Sequence, residues 1–248
     1  MSDFYYFDLP GGVTLRIMST RTSKLPAREH LYYSGLAIAY VLIVFVGFAR
    51  TYYLKGFFGT PHLSWIFHLH GVVFTAWILF FVFQTALVAA GRTDVHRRIG
   101  WAGAVFAVGI VVFGGLLTVH AVRAGYFIGR PRMPLLLING VIDLLLFSLF
   151  FGLGLVLRRR KEIHRRLMVL AMLAVLIPAF ARLPIPPSMI GWAIFAASFA
   201  GLTYDALSTK RIYVTNLIGV LLINMSSPLR FMIADTRAWQ KLTEWLVR

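Results

Sequence analysis

The sequence predicts an all-α integral membrane protein of about seven transmembrane helices, on three observations. Of its 248 residues 59% are hydrophobic and only 14% charged, whereas an ordinary soluble domain carries about 25% charged residues. The mean hydropathy is +0.76. Apolar runs close to the roughly 20 residues that a spanning helix requires recur along the whole chain.

Taken in order, the runs predict spans over residues 32–53, 63–90, 99–123, 133–157, 166–183, 188–207 and 212–234. They divide the chain into an N-terminal segment (1–31), one transmembrane domain (32–234) and a C-terminal tail (235–248). The fifth span contains Pro178 and ends at Arg182, before the turn-forming Pro184-Ile185-Pro186-Pro187. Ser226-Ser227-Pro228 predicts a kink in the seventh. The N-terminal segment alternates aromatics and carries a Pro10-Gly11-Gly12 turn, which reads as an interfacial cytoplasmic piece. About thirty mixed residues precede the first apolar run, so no cleavable signal peptide is expected.

Lysine and arginine set the expected orientation. With the N-terminus inside, fifteen of the 25 basic residues lie on the cytoplasmic side. The expectation is therefore a multi-pass inner (plasma) membrane protein with its N-terminus cytoplasmic and its C-terminus outside. The formal charge of +16 is spread over loops, which suits a lipid bilayer with anionic headgroups and does not suit nucleic acid. With no cysteine, disulfides, thiolate metal sites and iron–sulfur clusters are excluded. No Ser-His-Asp set, phosphate loop or paired-carboxylate site supports hydrolase or kinase chemistry.

One six-residue pattern occurs twice, Asp94-Val-His-Arg-Arg-Ile99 and Glu162-Ile-His-Arg-Arg-Leu167. Upstream, His70-Gly71-Val72-Val73 matches Asn139-Gly140-Val141-Ile142. The match predicts a weak internal duplication of a two-helix unit, spans two–three and four–five. These four form the expected core, with the copies parallel in the membrane. Thr93 reads as an N-cap, and Asp94 and Glu162 sit where a helix N-terminus favours an anion. The paired arginines would snorkel to headgroups and hold the loops inside.

Histidines fall near both membrane faces, His96 and His164 at the cytoplasmic ends of spans three and five, and His68, His70 and His120 towards the outside. That distribution makes all five candidate cofactor ligands, in the manner of a helical core holding b-type haem. His68 shares a face with Gly71 and Thr75, while His70 aligns with Trp77 and Gln84. Gly100, Gly103, Ala107 and Gly114 form a stripe that could hold a flat macrocycle, or simply pack helices closely. His96 and His120 lie 24 residues apart, about 36 Å along a helix. That span favours one haem, a haem with a quinone, or no redox centre at all over direct transfer between two haems.

Ionisable or strongly polar residues inside spans are functional candidates. Asp143 with Asn139 one turn away, Arg182 and Asp205 stand out, with an Asp143–Arg182 pair expected if their helices touch. Asp205 is expected to tie the bundle near Lys210 and Arg211.

His96-Arg97-x-x-Gly100, His164-Arg165-Arg166-x-Met168 and the following Arg182, preceded by His70-Gly71, resemble a family of uncharacterised bacterial multi-pass membrane proteins. The likeness covers roughly residues 63–183. More remotely, histidines at both ends of a four-helix core are similar to cytochrome b561-like haem proteins. That resemblance implies haem b and a redox partner or quinone, although Asn139 stands where a symmetric ligand is expected. Three readings follow. One is a haem- or quinone-linked transmembrane electron carrier. The second is a non-catalytic membrane complex subunit, or lipid- or partner-binding protein, whose histidines only anchor helix ends. The third is a small transporter or proton path using Asp143.

Overall fold

A computed structural model describes residues 4–9, 13–18, 27–124 and 133–247. The membrane domain is an all-α bundle with seven helices long and apolar enough to cross a bilayer. They are α1 (Ala27–Phe48), α2 (Trp65–Ala89), α3 (Thr93–Arg123), α4 (Met133–Val156), α5 (Lys161–Phe180), α6 (Pro187–Tyr204) and α7 (Val214–Ala234). A π-turn extends α1 over Ala49–Tyr53, and a second extends α6 over Asp205–Thr209. In lipid every backbone group must be satisfied within the chain, and continuous helices do that.

An antiparallel hairpin precedes the bundle. β1 (Phe4–Leu9) pairs with β2 (Val13–Met18), Phe4 opposite Met18 and Leu9 opposite Val13. Its two-residue alternation is the strand period. The Pro10-Gly11-Gly12 turn lies outside the described residues.

The helices start and stop where polar signals place them, which differs from where the apolar runs begin. α3 starts at Thr93 and α5 at Lys161, six and five residues before the apolar runs, so both His-Arg-Arg clusters lie within helices. Thr93 is the first helical residue, and the N-cap position is Arg92 without a side-chain cap bond. Pro187, read from the sequence as part of the turn, instead opens α6, since a first-turn proline loses no hydrogen bond. α7 runs through Pro228 without interruption. The tail is itself a helix, α8 (Arg237–Val247). It packs across the ends of α3 and α4, where the Trp239 indole donates to the Pro134 carbonyl at 2.8 Å and Arg123 Nε to the Leu246 carbonyl at 2.9 Å.

α2, α3, α4 and α5 pack in succession, and α1 closes the ring by lying against both α2 and α5. α6 and α7 flank α5, and α7 also lies along α4. α5 is the central helix, with 56% of its apolar window buried against 11% for α6. Side chains such as Val105, Val108, Leu145, Leu149 and Phe231 remain exposed on the outside, as a lipid-facing surface requires.

Small residues set the close approaches, because helices in lipid associate by packing rather than by a hydrophobic drive. A Cβ at Gly47 of α1 would collide with the Ala179 carbonyl of α5. The Gly47→Leu variant is therefore expected to force α1 away from α5 and to lose about 1–3 kcal/mol of stability. The thermal unfolding midpoint of the detergent-solubilised protein measures this, with Gly35→Leu, where a Cβ meets open space, as the control.

Candidate functional site

The two His-Arg-Arg segments bring their histidines together. His96 of α3 and His164 of α5 are half-buried, with ring centroids 6.3 Å apart and planes at 77°. The neighbours of α3 are mainly α2, α4 and α8, and those of α5 are α1, α4, α6 and α7. The imidazoles thus reach towards each other across a seam between helices that are not direct packing partners.

Each ring is referred to the backbone of the helix preceding it. His164 Nδ1 lies 2.8 Å from the Gly154 carbonyl near the end of α4. His96 lies beside the Gln84 backbone near the end of α2, although its buried Nδ1 falls short of a full hydrogen bond. A carbonyl at Nδ1 fixes the tautomer with the proton there and frees Nε2 as an acceptor or ligand. A Cβ at Gly154 would strike Met168 and crowd Leu167, so this glycine lets α5 come close enough for the His164 bond.

The arginines after the two histidines diverge. Arg97 and Arg98 are exposed, as snorkelling side chains would be. Arg165 and Arg166 instead turn into the bundle. Arg166 is 1% exposed and Asp205 is 0% exposed. They form a forked pair, with Arg166 Nη2 to Asp205 Oδ1 at 2.5 Å and Nε to Oδ2 at 3.1 Å. Asn216 Nδ2 donates to the same carboxylate at 2.7 Å, and Arg166 Nη1 donates to Glu162 Oε2 at 2.8 Å. The guanidinium also lies 3.5 Å over the Tyr213 ring. Arg165 pairs with Glu29 of α1 and with Glu162. Asp205 does tie the bundle, and Arg166 of α5 is the partner that the sequence reading missed. A recess of about 10 Å³ beside it, lined by Tyr32, Tyr33, Arg166, Tyr204 and Asn216, has room for roughly one water molecule.

At the opposite end the candidate histidines separate. His68 is exposed and leans on Tyr52, ring centroids 5.8 Å apart. The face it shares with Gly71 and Thr75 is filled. A Cβ at Gly71 would collide with the Tyr52 ring, and Thr75 Oγ1 is 2.8 Å from the Tyr53 hydroxyl. His70 stacks on Phe74 at 3.9 Å and keeps a buried, unpartnered Nδ1. His120 Nε2 lies 3.3 Å from Ser64 Oγ, with its ring edge-on to Phe67. The small stripe on α3 serves helix packing at two of its positions. A Cβ at Gly103 would press on Phe80, and one at Gly114 on Leu144 and Phe74.

Asp143 pairs with Arg230 of α7 at 2.6 Å, which corrects the expected Asp143–Arg182 pair. The physical reason is that α7 packs along α4 and places Arg230 beside the carboxylate. Arg182, just past the end of α5, instead lies over the Phe48 ring at 4.9 Å and donates to the Pro178 carbonyl at 2.8 Å. Asn139 is half-buried, one turn from Asp143. Among the described residues no group of three or more His, Cys, Asp or Glu could hold a metal ion.

Comparisons with family models, with curated proteins and with solved structures return no match. The site is therefore interpreted from its own chemistry.

Breaking a buried pair strands the remaining charge, at a cost of about 3–5 kcal/mol. Arg166→Ala and Asp205→Ala should each destabilise the protein by about that amount. The double variant should fall well short of the sum, because the second removal strands nothing. Denaturation of the three variants in one detergent checks this, and additive losses would show that the residues act independently.

Proposed function

We propose that the protein is a b-type haem electron carrier of the inner membrane, with His96 and His164 as the axial pair of a single haem. The juxtaposition of these two imidazoles carries the reading. Their ring centroids are 6.3 Å apart, so these two residues would be the ones to hold a bound haem. Two protein ligands suffice for haem iron, because the macrocycle fills the other positions. A bare metal ion would need the third and fourth donors that the described residues do not gather here. The Gly154 carbonyl at His164 Nδ1 is the second partner that ligating histidines characteristically have. When bound, the haem would supply a one-electron couple, and the chain would hold the two ligands and exclude competing donors. A membrane quinone or a protein redox partner is the expected exchange partner.

His68, His70 and His120 do not supply a second axial pair in this reading. The filled space at Gly103 and Gly114 favours the competing reading, in which the histidines only brace helix ends. The burial of Asp143 against Arg230 argues for a structural tie and against a transport path through that carboxylate.

Protein expressed with ample haem should show a Soret band and a dithionite-induced α-band. His96→Ala and His164→Ala should each abolish or grossly alter both bands, and the loop variant His62→Ala should not. Haem-replete, monodisperse wild-type protein with neither band would sink the carrier reading and leave the bracing one.

The proposed orientation has the His-Arg-Arg end in the cytoplasm, which agrees with its share of basic residues. The absence of cysteine makes the wild type its own background for labelling. A cysteine replacing Arg159 should react with a membrane-impermeant maleimide only in inverted vesicles, and one replacing Lys241 only in intact cells. The opposite pattern would reverse the topology.

A further inference from the structure

The turns after α2 and α4 and the starts of α3 and α5 lie at one end of the bundle, joined where His96 approaches His164. That end is strongly basic. Residues 92–98 hold three arginines and one aspartate, and residues 158–162 hold three arginines, a lysine and one glutamate. Both carboxylates are already engaged. Asp94 lies 3.7 Å from Arg92, and Glu162 is taken up by Arg165 and Arg166, which turn into the bundle. Arg97, Arg98, Arg158, Arg159, Arg160 and Lys161 stay exposed, so the surface carries a large excess of positive charge.

Arg158 shows where this charge meets the bilayer. Its guanidinium donates to the Leu155 carbonyl at 3.1 Å and lies over the Trp101 ring of α3, 5.2 Å from the centroid. Trp101 is itself 59% exposed, and Val105, one turn further along α3, and Val156, at the end of α4, are each 74% exposed. An exposed indole beside bare valines marks the level where headgroups give way to acyl chains. The basic surface therefore runs onto a lipid-facing wall, with Arg158 and Trp101 at the join. A soluble partner would meet only the charge, whereas a phospholipid covers both parts.

We infer that this end of the protein is a binding surface for anionic phospholipid, its phosphate paired with Arg97, Arg98 and the arginines of the α4–α5 turn, and an acyl chain along Trp101 and Val105. Guanidinium forks match phosphate oxygens two at a time. A zwitterionic lipid offers the same phosphate, but its ammonium adds a like charge to a surface already in excess. Selection therefore falls on lipids without one. The surface does not depend on the haem reading.

The test is a titration of phosphatidylglycerol and of phosphatidylcholine into the detergent-solubilised full chain, with retained lipid counted by native mass spectrometry. Phosphatidylglycerol should bind about tenfold or more tightly than phosphatidylcholine. Arg97→Gln with Arg98→Gln, and separately Arg159→Gln with Arg160→Gln, should each weaken phosphatidylglycerol by roughly tenfold or more and leave phosphatidylcholine unchanged. All four side chains are exposed, and an unchanged unfolding midpoint without added lipid guards against a folding defect. Arg237→Gln with Lys241→Gln, on α8 at the opposite end, should alter neither affinity. Equal affinity for the two lipids, or an equal loss in the α8 pair, would overturn the inference. So would full displacement of phosphatidylglycerol by millimolar inorganic phosphate, which would reveal an anion site indifferent to the lipid.

Discussion

The forked pair between Arg166 and Asp205 is the contact on which the rest of the arrangement depends. α5 is the central helix, and it is held at one end by charge-assisted bonds to the π-turn after α6 and, through Asn216, to α7. Arg165, one residue earlier, reaches Glu29 of α1. His164 is two residues before Arg166 on the same helix, so fixing the arginine fixes the height and rotation of the histidine. Desolvation makes an isolated buried charge very costly. Here the guanidinium meets two carboxylates, a backbone carbonyl and an aromatic ring, which leaves it little freedom to choose another position. The pair adds definition more than net stability, as buried ion pairs often do.

The seven spans were legible because hydropathy over 20 residues is a property of the local chain. Their ends were less so. Lipid-level residues stop at the edge of the apolar run, but the helix continues to the first polar residue able to begin it, which moved α3 and α5 towards their His-Arg-Arg clusters. α8 escaped notice because an eleven-residue helix is too short for the span criterion. Its 3.6-residue pattern of Trp239, Thr243 and Leu246 was nevertheless present in the sequence. For the polar candidates, residue type identified Asp143 and Asp205 as costly in lipid, but neither partner could be read from the chain. Arg230 and Arg166 reach them from α7 and α5, and which helices touch is a tertiary fact. The meeting of His96 with His164 lay between these cases. The repeat made the two residues equivalent, and only packing brought them face to face.

The two His-Arg-Arg segments have different surroundings. In the first copy Arg97 and Arg98 stay outside, where their charge costs little. In the second, α1, α6 and α7 surround the corresponding surface of α5, and arginines there had to be paired or replaced. Glu29, Asp205 and Asn216, all outside the duplicated units, supply that pairing. The flanking helices therefore do more than widen the bundle, because they neutralise the end of the second copy.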